Sequence, residues 1–153
     1  DAVLLILGSG DVIPNLKQMV KEHALENRVI FKGRMPYEQM MAYTHLSDLG
    51  LSLDKDTNVN YRFSLPNKLF DYIHAGIPVL GSDLVEVKRI IQDYGVGEIA
   101  QSFDPEKLAI QMQSMLSSPK MAEWKQNAQK ARVELNWEKE TEVLSQLIDD
   151  ING

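Results

Sequence analysis

Apolar residues along this chain come in short unbroken bursts, separated by longer stretches in which they recur every three or four positions. Val3-Leu4-Leu5-Ile6-Leu7 is such a burst, the pattern of a strand buried on both faces of a parallel sheet. Over residues 12–26 the pattern changes to helical spacing, with Leu16, Met19, Val20 and His23 on one side. The alternation continues with a strand over 28–33, a helix over 37–45 and a strand over 48–53. Residues 54–63 are polar and read as irregular. A helix from 64 to 76 and a strand over 78–81 follow, then a helix to 93 with Val85, Val87, Ile90 and Ile91 as its apolar side. After a short strand within 94–100, three helices close the chain over 104–117, 119–133 and 138–150. Their inward positions are Met112, Met115 and Leu116, then Met121, Trp124, Ala128 and Ala131, then Val143, Leu144, Leu147 and Ile148. Strand and helix in regular alternation give an α/β fold, a Rossmann-like open parallel sheet with helices on both faces. Ligands of such sheets bind across the carboxyl ends of the strands, where segments 8–11, 33–35, 54–67 and 81–83 all fall.

One stretch joins the periodic pattern to candidate chemistry. In Ser64-Leu65-Pro66-Asn67-Lys68-Leu69-Phe70-Asp71-Tyr72-Ile73-His74-Ala75-Gly76, Ser64 is the expected N-cap and Pro66 falls in the first turn. Gly76 is the expected left-handed terminator, and Pro78 stops the helix. Leu65, Leu69, Tyr72 and Ile73 form a face for the sheet, while Ser64, Asn67, Lys68 and Asp71 share another side. A helix N-terminus suits phosphate, Lys68 adds a point charge, and Asp71 can accept from paired sugar hydroxyls one turn deeper. The plainer alternative is a capped surface helix with a weak Asn67–Asp71 or Lys68–Asp71 pair. Gly8-Ser9-Gly10-Asp11 makes a two-glycine turn, but the third glycine and the later acidic residue of a dinucleotide fingerprint are not in place.

Composition narrows the classes. The 153 residues are 44% hydrophobic, enough for a core, and the formal charge of −6 leaves no basic footprint for nucleic acid. With no cysteine, disulfides, thiolate catalysis and cysteine-held zinc are excluded. No apolar run nears the ~18 residues of a membrane span, and the N-terminal run reads as strand rather than signal peptide. Asp54-Lys55-Asp56 has the spacing of a metal-binding carboxylate pair but reads as loop, so no metal is expected. Opening at Asp1, already inside a strand, the sequence reads as a piece of a longer protein.

Several segments together resemble the C-terminal, donor-binding domain of GT-B glycosyltransferases, in particular retaining family 4, also called group 1. They are Leu5-Ile6-Leu7-Gly8-Ser9-Gly10, Val29-Ile30-Phe31-Lys32-Gly33-Arg34-Met35-Pro36, Ser47-Asp48-Leu49-Gly50-Leu51-Ser52-Leu53 and, above all, Leu65 to Val79. The resemblance implies a glycosyltransferase that moves a sugar from a nucleoside diphosphate sugar to a hydroxyl acceptor with retention, in glycan biosynthesis, without cofactor or metal. It places Gly8 and Gly10 near the phosphates, and Gly33, Arg34 and Met35 where the family reads the base. It points the amides of Ser64 and Leu65 at the diphosphate, with Asn67 and Lys68 beside it. Asp71 matches the second of two family glutamates, which holds the ribose; the first falls at Phe63, which cannot do its work. On this reading residues 1–153 lack the domain's first strand and helix, with their diphosphate-binding Arg and Lys, and the whole N-terminal domain, with its acceptor site and catalytic histidine. The isolated chain is then inactive, and His23 and His45 have no special role; His74, one turn beyond Asp71, is left open. The whole protein is expected in the cytoplasm, with the inner face of the membrane as an alternative. A non-catalytic nucleotide-binding or docking module is the competing reading, favoured by Phe63 and by aspartate at 71.

Overall fold

A computed structural model describes residues 2–152, apart from the side chains at 142, 143, 147, 149, 150 and 152. The chain forms two compact units, Asp1–Tyr43 and Thr44–Gly153. Both are built on parallel strands flanked by helices, as the alternation predicts. The five strands among the described residues are shared between two sheets, one in each unit.

In the first unit β1 (Leu4–Leu7) pairs in parallel with β2 (Val29–Gly33), and the register shifts between Ile6 and Leu7. Helix α1 (Ile13–Glu22) joins them. It stops short of the predicted 26, because the Leu25 amide donates to the Val20 carbonyl at 2.8 Å and the Ala24 amide to Lys21 at 3.1 Å. Those two bonds make a Schellman closure whose left-handed residue is Ala24, φ 52°, where glycine is usual. Leu16 and Val20 are half-buried, whereas Met19 and His23 are exposed, so the apolar stripe of α1 is narrower than its sequence suggests. None of residues 2–43 is fully buried. Helix α2 (Tyr37–His45) carries the chain into the second unit.

There β3 (Gly50–Ser52), β4 (Val79–Gly81) and β5 (Gly97–Ile99) lie in that order, all parallel, with Gly50 opposite Val79 and Val79 opposite Gly97. The helices are α3 (Val59–Arg62), α4 (Asn67–Ala75), α5 (Val85–Tyr94), α6 (Pro105–Leu116), α7 (Met121–Glu134) and α8 (Trp137–Asn152). The central strand is buried throughout, and its alternation feeds two cores. Val79 packs with Leu69 and Ile73 of α4, Val87, Ile90 and Ile91 of α5, and Ala128 and Ala131 of α7. Leu80 packs on the opposite side with Met115 of α6 and Trp124 of α7. The sheet is therefore covered on both faces.

In the second unit five expected inward residues are not inward. Leu65 precedes α4 and is exposed, and Val85 lies off the stripe formed by Leu84, Val87 and Ile91. Leu116 ends α6 at the rim of the Leu108–Met112–Met115 stripe. In α8 Leu144 and Ile148 are exposed, along with Trp137, and Val143 and Leu147 lie outside the described side chains. No helix among the described residues is long and apolar enough to cross a membrane.

Candidate functional site

In the second unit the chain leaves β3 at Ser52, passes through a polar loop and enters α4. The loop is ordered by its own side chains. Arg62 Nε donates to Asp56 Oδ2 at 2.9 Å, and Asn58 Oδ1 accepts from the Tyr61 amide at 3.0 Å. Asn58 thus caps the short helix α3, within a stretch expected to be irregular. Beside it Asn58, Asn60, Tyr61 and Ser64 line an open cavity of about 320 Å³.

Ser64 does not cap α4, contrary to expectation. Its hydroxyl donates to the Tyr61 carbonyl at 3.1 Å and its amide to the same carbonyl at 3.3 Å. Both groups close α3, which ends nearer to Ser64 than α4 begins. The amide of Ser64 is therefore not directed at a ligand. The N-cap position of α4 falls to Pro66, whose side chain offers no acceptor and whose nitrogen offers no donor. The amides of Leu65, Asn67 and Lys68 donate to no backbone carbonyl among the described residues. Gly76 ends α4 in the left-handed conformation, as expected.

Lys68, on the first turn of α4, reaches back across the loop to Asp54. Nζ donates to Oδ1 at 3.0 Å and stands 2.9 Å from Oδ2. Oδ2 is the buried oxygen of the pair, and the ammonium is the group that meets it. Asp54 and Asp56 are thus both committed to cations of the chain, and no cluster of three metal-ligating side chains occurs among the described residues. One turn deeper Asp71 is half-buried. Next to it the Tyr72 hydroxyl donates to the Leu51 carbonyl at 3.3 Å. Burial pushes the Tyr72 phenol above its ordinary pKa, and the carboxylates of Asp71 and Asp54 push the same way. At the carboxyl end of β3, Lys68 thus pairs with Asp54, and Asp54 and Asp71 both act on the Tyr72 phenol.

His74 is not part of this group. Its Nε2 lies 2.7 Å from the Leu135 carbonyl, which can only accept, so that nitrogen carries the proton and fastens α4 to the end of α7. Asp54 is the residue that sequence reasoning passed over. Its spacing to Asp56 was visible, but nothing in the sequence pairs it with a lysine fourteen positions on.

In the first unit Gly8 and Gly33 meet at the strand ends, the Gly8 amide donating to the Gly33 carbonyl at 2.8 Å. Both have positive φ, 116° and 66°, which explains glycine at each. Gly10 has no such φ and no neighbour that a methyl would touch, so nothing in the fold demands glycine there. Arg34 is exposed and Met35 half-buried just beyond Gly33.

A family model described as glycosyl transferases group 1 matches residues 1–131. Among solved structures, the chain is similar to WaaG, a glycosyltransferase involved in lipopolysaccharide biosynthesis, with a TM-score of 0.69 and 18% identity over 88% of this chain and 34% of that one. Sucrose-phosphate synthase from Thermosynechococcus elongatus gives 0.78 and 22% over 97% of this chain and 38% of that one. HepE of Anabaena, solved in complex with UDP, gives 0.75 and 18% over 99% of this chain and 41% of that one. Identities this low speak for the fold alone. The chain spans about a third to two fifths of the length of these structures. No curated protein matches it.

Proposed function

The chain belongs to the glycosyl transferases group 1 family, and on that premise we propose that residues 1–153 are the nucleotide-sugar donor-binding domain of a glycosyltransferase. The whole protein transfers a sugar from a nucleoside diphosphate sugar to a hydroxyl acceptor, with retention, in glycan or polysaccharide biosynthesis. The observation that carries this reading is the open N-terminus of α4, with Lys68 on its first turn and the half-buried Asp71 one turn deeper. Departure of a nucleoside diphosphate builds negative charge on the β-phosphate, and fixed donors aimed at that charge lower the barrier. The amides of Leu65, Asn67 and Lys68, with the Lys68 ammonium, are such donors. Asp71 accepts from the ribose hydroxyls. For the first unit by itself, the family assigns the positions of Gly8 and Gly10 to phosphate and those of Gly33, Arg34 and Met35 to the base. UDP in the complex of HepE supports a nucleotide ligand for this fold.

The acceptor site and the catalytic histidine belong to an N-terminal domain of the same protein, so this chain alone binds donor without turning it over. No cofactor or metal takes part in the reading, and the whole protein works in the cytoplasm or at the inner face of the membrane. Titration of the chain with UDP and GDP tests the site. Asp71→Ala should weaken nucleotide binding by about 1–3 kcal/mol, the range for a hydrogen bond to a charged group, with little change in thermal unfolding. Equal affinity for both proteins would remove the ribose role.

A non-catalytic nucleotide-binding or docking module is favoured by one observation: Phe63 stands exposed where the family has a glutamate. Incubating the full-length protein with UDP- and GDP-sugars separates the two, since transfer or hydrolysis requires an enzyme.

A further inference from the structure

Asp54 has no role in the donor reading, yet it holds the cation on which that reading depends. We propose that Asp54 is a positioning residue, which fixes the Lys68 ammonium at the mouth of α4 to receive the diphosphate. The inference rests on the donor reading of α4.

Three features carry it. First, the contact is close on both oxygens, 3.0 Å and 2.9 Å, and it joins the end of β3 to the first turn of α4. Lysine has a flexible four-carbon stem, and holding it in advance removes ordering that a ligand would otherwise impose. An ammonium has three donors, so a contact with one carboxylate leaves donors for an anion.

Second, the pair is poorly explained as a device for stability. Both side chains are partly exposed, and ion pairs of that kind contribute little.

Third, the same loop contains a contrasting pair. Asp56 holds Arg62 six residues away and serves to close the loop on itself. Asp54 instead reaches past α3 to the helix that carries the proposed ligands.

Simple electrostatics predicts the opposite outcome, which makes the proposal sharp. Asp54 and Asp71 are two negative charges at the site, and removing Asp54 would make the site more attractive to a diphosphate. Positioning requires that removal weaken binding instead.

The test is calorimetric or NMR titration of the full-length protein with UDP. Asp54→Ala and Asp54→Asn should weaken UDP three- to tenfold, Asp54→Glu should recover most of the loss, and Asp56→Ala should bind as the parent does. In a Lys68→Ala background, itself weakened, Asp54→Ala should have no further effect, because there is no ammonium left to place. Thermal melts confirm that each variant is folded, and Asp54→Asn, nearly isosteric, stands in should the alanine variant fail. Tighter or unchanged binding in folded Asp54 variants, or losses that add independently to that of Lys68→Ala, would overturn the positioning role alone. A full-length protein that binds neither UDP nor GDP, or a Lys68→Ala variant that binds like the parent, would overturn the donor reading and this inference with it.

Discussion

Tyr72 is the side chain at which sheet, helix and carboxylates meet in the second unit. Its ring lies where a methyl on Gly50 would fall, and its hydroxyl donates to the Leu51 carbonyl. Burial, seconded by Asp71 and Asp54, raises its pKa, so the folded state holds the phenolic proton to higher pH than the unfolded chain, which releases it near pH ~10. Between those two values the native state binds more protons than the unfolded one, and stability falls as pH rises. Below about pH 10 both states are protonated and the term is absent. Tyr72→Phe should remove this alkaline loss, while costing about 0.5–1.5 kcal/mol at neutral pH for the missing hydrogen bond. Urea midpoints from pH 7 to 11 check it, and parallel curves for the two proteins above pH 10 would count against a buried, proton-holding phenol. His74 makes the complementary point, since its spacing from Asp71 admits a site role, but the Leu135 carbonyl claims its Nε2.

At the level of elements, the joint between β3 and α4 depends on Gly50. A β-carbon there would lie 2.3 Å from the nearest atom of the Tyr72 ring, so Gly50→Ala must part strand and helix or turn the ring out. Overpacking of this kind costs about 1–3 kcal/mol, whereas Gly10→Ala, which meets nothing within 4 Å, should leave stability nearly unchanged. Denaturant melts of both variants make the comparison; equal midpoints would mean that the joint yields freely. Elements of this kind were legible where the chain repeats a pattern. The stripe Leu69–Tyr72–Ile73 and the terminator Gly76 announced α4, the apolar bursts announced β1, β2 and β4, alternation announced β3, and a glycine turn marked the approach to β5. The misses have local causes. Helix α3 is a single turn, too short for any period to show. Ser64 stands within hydroxyl reach of two helices, and sequence alone does not say which it serves. Helix α1 closes on Ala24 in a conformation usually marked by glycine. The Asp54–Lys68 pair depends on where a strand end meets a helix start, which propensity does not encode.

Across the whole chain, burial is distributed unevenly, and that has a measurable consequence. Residues 2–43 include none that is fully buried, while the second unit encloses Leu69, Ile73, Val79, Leu80, Val87 and Met115 with essentially no exposure. Burial of apolar area is the main driving force for structure, so a sheet of two strands with a half-wet surface has less to hold it than a three-stranded sheet sealed on both faces. Opening free energies within one protein range from near zero to the global value, following that distribution. Native-state hydrogen exchange should therefore separate two classes of amide. Those of Val79 and Ser82, bonded to Val96 and Ser52, should exchange only through global unfolding. Those of Leu4 and Gly8, bonded to Arg28 and Gly33, should exchange at least about tenfold faster through openings confined to the first unit, a difference of about 1.4 kcal/mol. Low urea should accelerate the Val79 class more steeply, because global unfolding exposes more surface than the opening of a small unit. If both classes instead exchange at one rate with one urea dependence, the chain opens as a single cooperative body and the thin burial of residues 2–43 does not govern its stability.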